Sequence, residues 1–170
     1  MALVQEIISK ATIELKNKNI QSARLDAEIL LSTVLKAQRL DLVLKENQNV
    51  DFEEEKLFNK LLDQRKNNEP IAYIIKNKSF WNEDYYIARG ALIPRPETEI
   101  LIEMIAKKIN NRKKNLNILD IGCGSGCLLI SLLKEFSNSR GVGLDISKQA
   151  LEICKKNISK YNLHHRTRLM

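Results

Sequence analysis

Asn117-Ile-Leu-Asp-Ile-Gly-Cys-Gly-Ser-Gly-Cys-Leu-Leu-Ile-Ser131, followed by Gly141-Val-Gly-Leu-Asp145, is the stretch whose reading decides the fold. It reads as strand, glycine bend, helix, strand. Ile118, Leu119 and Ile121 form a short apolar run of the kind buried in a parallel sheet, and Leu128, Leu129, Leu132 and Leu133 then recur at helical spacing. Gly122, Gly124 and Gly126 let the backbone turn sharply at the positive end of a helix, with no Cβ between the loop amides and a ligand. Asp145 ends the second strand 19 residues after Gly126, near the offset of roughly 20 at which a carboxylate accepts hydrogen bonds from ribose hydroxyls. A nucleoside-bearing cofactor fits both features.

The bend also excludes cofactors. A phosphate-cradling P-loop continues Gly-Lys-Ser/Thr, whereas Gly126 is followed by Cys127 and Leu128. A dinucleotide fingerprint carries its third glycine or alanine one position later than Gly126. The Gly-x-Gly-x-Gly spacing is the one shared by methyltransferases that use S-adenosylmethionine, a cofactor with a ribose but no pyrophosphate. A nicotinamide-dependent oxidoreductase is a distant alternative, and a strand–helix turn with incidental glycines is the bland one.

The 170 residues, 44% hydrophobic and 29% charged, suit a globular chain with one full core or two small ones. No apolar run approaches the 18 residues of a membrane span and no signal-peptide pattern opens the chain, so a cytoplasmic protein with no membrane association is expected. Cys123, Cys127 and Cys154 have no histidine near them, which favours reduced, buried thiols over a metal site. The net charge of +7 is uneven: residues 1–69 carry 11 Lys and Arg against 12 Asp and Glu, and residues 70–170 carry 17 against 9. Basic runs at Lys107–Lys114 and Lys155–Arg168 read mainly as solvated faces; they lack the interleaved aromatics of a nucleic-acid platform and leave direct nucleic-acid contact open.

Upstream, Leu3, Val4, Ile7, Ile8, Ala11 and Leu15 predict a first helix, and Ser22 caps a second reaching about Ala37. Leu40 to Leu44 suggest a short third, and Asp51 with Glu54 opens a fourth with Leu57, Phe58, Leu61 and Leu62 as its stripe. These make a helical bundle over 1–69 whose polar positions read as solvated, a domain for recognition or packing. Pro70 breaks the last helix. Residues 70–91 hold five of the nine aromatics, and Phe80-Trp81 and Tyr85-Tyr86-Ile87 on either side of Asn82-Glu-Asp84 predict a β-hairpin linker. Residues 92–170 then form the α/β domain. It opens on Leu92-Ile-Pro-Arg-Pro-Glu-Thr-Glu99, where two prolines fix an extended approach and Glu97 and Glu99 suit the first turn of a helix.

Pro70-Ile-Ala-Tyr-Ile, Phe80-Trp, the Arg-Pro-Glu-Thr-Glu run and Ile118-Leu-Asp-Ile-Gly-Cys-Gly-Ser-Gly126, in that order, closely resemble the release factor glutamine N5-methyltransferases. The resemblance covers nearly the whole chain and implies an α/β fold: a helical bundle, a hairpin linker and the start of an incomplete Rossmann-like class I methyltransferase sheet. It implies transfer of the methyl group of S-adenosyl-L-methionine to the glutamine amide nitrogen in the Gly-Gly-Gln motif of class 1 peptide chain release factors. On that likeness Gly122, Gly124 and Gly126 line the cofactor, Asp145 holds the ribose diol, Ile146 lies against the adenine and Asp120 orders the bend. Pro96 and Thr98 sit beside the pocket, while Arg95 and Glu97 shape the start of the helix. The family's Asn-Pro-Pro-Tyr motif, which grips the acceptor amide, does not occur in the sequence, so no catalytic residue is named. The chain is therefore expected to be part of a longer protein, inactive alone, with one edge of Asn117–Ile121 unpartnered. The alternatives are an inactive fragment or binding module, or a related N-methyltransferase acting on another protein amide or a nucleobase amine.

Overall fold

A computed structural model describes residues 2–170, in two compact units that divide between Ile75 and Lys76. The first holds α1 (Val4–Asn17), α2 (Ala23–Val34), α3 (Asp41–Leu44), α4 (Phe52–Lys66) and the single turn α5 (Ile71–Ile74). Val4, Ile7, Ala11 and Leu15 of α1 meet Ala23, Ala27, Leu30 and Leu31 of α2, with Phe58 and Leu62 of α4 closing the core. The predicted capping box at α4 is complete: Asp51 Oδ1 accepts from the Glu54 amide at 2.8 Å, and Glu54 Oε2 accepts from the Asp51 amide at 3.1 Å.

Two expectations for this unit change. Ser22 precedes α2 but leaves the helix amides alone; its hydroxyl donates to Asp26 Oδ2 at 2.9 Å. Nor are all polar positions solvated, because Asp26 is only 3% exposed and the same oxygen accepts from Arg65 Nε at 2.7 Å. The Arg65 guanidinium reaches on to the Glu69 carbonyl at 3.1 Å and ties α2 to the end of α4. A carboxylate taken out of water requires such partners.

In the second unit a two-stranded antiparallel hairpin, β1 (Asn77–Phe80) and β2 (Glu83–Tyr86), precedes α6 (Glu99–Lys108). The hairpin is as predicted but its turn is Trp81-Asn82, and Glu83 and Asp84 belong to the strand. Trp81 takes the left-handed conformation (φ 55°), which bulky residues avoid unless held. It is held twice: its amide donates to Glu99 Oε1 at 2.9 Å and its indole to Glu135 Oε1 at 2.7 Å.

A parallel sheet follows, built from β3 (Asn117–Ile121), β4 (Arg140–Leu144) and β5 (Thr167–Leu169) in that spatial order. The crossovers are α7 (Cys127–Glu135) and α8 (Lys148–Lys160). Gly141 and Gly143 of β4 let α7 settle on one face, since a Cβ on Gly141 would come within 2.5 Å of Leu129 Cδ1. On the other face Leu119 is 59% and Ile121 77% exposed, and among the described residues β3 pairs with β4 alone. Among the described residues no helix is long and apolar enough to cross a membrane.

Candidate functional site

The bend and the Asp145 carboxylate meet at the C-terminal ends of β3 and β4, where ligands sit in open parallel sheets. Asp145 Oδ2 accepts from the Gly124 amide at 2.8 Å, and Oδ1 accepts from the Ser147 amide at 2.9 Å. The carboxylate therefore closes the turn into α8, whose cap is Ser147 Oγ accepting from the Ala150 amide at 3.2 Å.

The bend is not a row of amides waiting for a ligand, as its sequence suggests. The amides of Gly122 and Cys123 both donate to the Leu144 carbonyl, at 2.8 and 2.9 Å, and the Gly126 amide donates to the Cys123 carbonyl at 2.7 Å. With Gly124 bound to Asp145, four amides are satisfied within the protein. What the bend presents is bare backbone. Gly122 (φ 79°) and Gly124 (φ 55°) are left-handed, and a Cβ built on either meets nothing within 4 Å. Open space lies over these two glycines.

Gly126 differs. It too is left-handed (φ 77°), but its Cβ would lie 2.4 Å from Cys154 Sγ and 3.3 Å from Ile130 Cδ1, so its missing side chain serves packing beneath the bend. The cysteines make that underside: Cys123, Cys127 and Cys154 are all free and buried. A hydrogen bond from the Cys154 thiol to the Cys123 sulfur holds Cys123 below its ordinary range and, with burial, pushes Cys154 well up, which keeps Cys154 a neutral thiol. Burial likewise raises Cys127.

Asp120, at the end of β3, pairs in register with Gly143 and shares the face that α7 covers. Its Oδ2 is buried and, among the described residues, without a hydrogen-bond partner. Burial raises the Asp120 carboxyl above its usual range; the Leu129 amide opposes this and the Asp145 charge adds to it. Ile146 is fully exposed beside Asp145. Pro96 and Thr98 lie in a 3-10 turn, Pro96–Thr98, that leads into α6; among the described residues no hydrogen bond joins either to the bend.

Sequence reasoning missed Asn157. Its amide is wholly buried, accepts from the Tyr86 amide at 2.8 Å, and donates to the carbonyls of Tyr86 at 3.0 Å and Ser125 at 2.8 Å. The signal was there: Asn157 interrupts the apolar stripe of α8 formed by Ala150, Ile153, Cys154 and Ile158.

A glycine bend and a carboxylate thus meet at the C-terminal edge of a parallel sheet, and residues 112–167 match the family described as a methyltransferase domain. Residues 6–75 match the PrmC N-terminal domain, and the two matches together account for most of the chain. Over most of its length the chain is similar to proteins named release factor glutamine methyltransferase. The Release factor glutamine methyltransferase of Buchnera aphidicola subsp. Schizaphis graminum is 40% identical over 148 residues, covering 87% of this chain and 53% of that protein. The protein of the same name from Leptospira interrogans is 38% identical over 151 residues, covering 89% and 53%. A Bifunctional methyltransferase of Rickettsia prowazekii is 33% identical across 98% of this chain and 36% of its own length. The chain thus spans about half the length, or less, of these relatives.

Proposed function

We propose that this protein binds S-adenosyl-L-methionine and methylates the side-chain amide nitrogen of the glutamine in the Gly-Gly-Gln motif of class 1 peptide chain release factors. The observation that carries the reading is the Asp145 carboxylate drawn against the bend by the Gly124 amide at 2.8 Å, on a chain similar to proteins named release factor glutamine methyltransferase. The residues fit the cofactor. Each Asp145 oxygen accepts one amide and keeps a lone pair for a ribose hydroxyl. The unobstructed space over Gly122 and Gly124 admits a ligand directly against backbone. Ile146, bare to solvent, supplies an apolar surface for the adenine, and Asp120 with its orphaned oxygen borders the same bend. Pro96 and Thr98 are assigned to the pocket rim by family likeness.

When bound, the cofactor supplies a methyl group activated by a sulfonium. The protein's contribution is alignment: Asp145 and the bend fix the nucleoside so that the methyl carbon is presented in one direction. An amide nitrogen is a weak nucleophile because its lone pair is delocalised, so acceptors must hold its NH2 as the bond forms. The helical unit is assigned to recognition of the protein substrate.

The test is incubation of the full-length protein with S-adenosyl-L-methionine and a purified release factor, followed by mass spectrometry of the Gly-Gly-Gln peptide. A mass gain of one methyl group on that glutamine is expected. Cofactor turnover with methyl transfer to a different protein amide or to a nucleobase amine would move the substrate class, and absence of saturable cofactor binding would leave a binding module.

A further inference from the structure

Asn157 occupies a place in the second unit that no catalytic argument has used. The bend is held from above by Asp145, which takes the Gly124 amide. From below it is held at the very next residue, where Asn157 Nδ2 donates to the Ser125 carbonyl. The remaining bonds of the same carboxamide go to both backbone groups of Tyr86 in the hairpin, so that all of its hydrogen-bonding capacity but one carbonyl lone pair is used with no water exposure. Ser125 is itself 2% exposed, and its carbonyl takes its side-chain anchor from Asn157. A fully satisfied buried amide fixes its neighbours in one arrangement, because any displacement leaves a buried donor or acceptor without a partner.

We propose that Asn157 is a positioning residue for the cofactor site: it sets the conformation of the 122–126 bend by bracing Ser125 against strand β2, and thereby sets cofactor affinity. The inference rests on the reading of this bend as the S-adenosyl-L-methionine site. It assigns the hairpin a second task, since Tyr86 becomes part of the frame that shapes the bend. Asn157→Asp isolates the effect. The acceptor for the Tyr86 amide remains, while both donations are lost and a carboxylate oxygen faces two carbonyls.

The full-length protein is compared as wild type, Asn157→Asp, the milder Asn157→Ser and Tyr85→Phe. The last removes a different buried hydrogen bond of this unit, the 2.7 Å contact of the Tyr85 hydroxyl with Ser131, and serves as the control for a purely structural loss. Two quantities are read: amide hydrogen exchange at 122–126 without cofactor, and the Kd for S-adenosyl-L-methionine. The Asn157 variants are expected to speed exchange at Gly124 and Gly126 and to weaken binding about tenfold or more, with Tyr85→Phe within about twofold of wild type. Equal effects of Asn157→Ser and Tyr85→Phe at matched loss of Tm, on exchange and on Kd, would overturn the proposal. Faster exchange at the bend in a protein whose wild type does not bind the cofactor would uphold the brace and refute the cofactor reading instead.

Discussion

Gly124 and Gly126 stand two residues apart in one bend, share a left-handed backbone and should respond oppositely to the same methyl group. An alanine at either position pays the left-handed penalty of about 1–2 kcal/mol. Gly124→Ala adds nothing further to stability, because its Cβ would meet no atom within 4 Å. Gly126→Ala drives a Cβ to 2.4 Å from Cys154 Sγ, and overpacking of this kind costs about 1–3 kcal/mol more. For a unit of this size the difference corresponds to a Tm gap of roughly 5–20 °C, with Gly126→Ala the lower. Cofactor affinity should rank the other way per unit of lost stability, since only the Gly124 methyl enters the open space. The assay is differential scanning fluorimetry and S-adenosyl-L-methionine titration of both variants, together with Cys154→Ala and the Gly126→Ala/Cys154→Ala double variant. If the overlap is the cause, the pair couples favourably by about 1–3 kcal/mol, because removing the sulfur makes room for the methyl. Equal Tm values for the two alanine variants, or a cycle with no coupling, would refute this division of the bend into a ligand side and a packing side.

Asp145→Ala removes acceptors for the Gly124 and Ser147 amides as well as for the ribose, so titration should show affinity reduced about 10-fold to 100-fold; an unchanged Kd would make Asp145 a turn residue only. Asp120, whose carboxyl is raised by burial, keeps its proton to higher pH in the folded state than in the unfolded chain. Its contribution to stability is complete below the unfolded carboxyl range and is lost as pH rises through the folded value. Asp120→Asn should therefore raise the Tm of the cofactor-free protein at pH 7, with the advantage shrinking toward acid pH, and a pH-independent difference would exclude this cause. In the helical unit, Arg65→Met removes the charge partner of the buried Asp26 carboxylate and should cost about 3–5 kcal/mol in urea unfolding. Asp26→Asn with Arg65→Met should recover part of that loss.

Features governed by local periodicity are legible in the sequence. The helices, the capping box of Asp51 and Glu54, the strand–bend–helix of 117–135 and the closeness of Asp145 to the bend all follow from spacing and turn chemistry. What sequence left dark was where buried polar groups find partners, because such partners are remote along the chain. The Asp26–Arg65 pair spans 39 residues, and Trp81 is held in its turn by Glu99 and Glu135, 18 and 54 residues away. Asn157 reaches 71 residues back to Tyr86. The three glycines of the bend also looked equivalent as letters. Only the neighbourhood of each absent Cβ separates Gly122 and Gly124 from Gly126.

The two side-chain-free positions of β4, Gly141 and Gly143, have a consequence for how the second unit tolerates change. They form a notch into which Leu129 drops, and α7 begins directly at the bend. A methyl group at Gly141 would act as a wedge between Leu129 and the sheet, whereas one at Gly143 would first meet Leu169 of β5 at 2.9 Å and Cys123 of the bend at 3.1 Å. A side chain added in the middle of this strand is thus felt at the bend, by leverage through α7 at one glycine and by direct contact with Cys123 at the other.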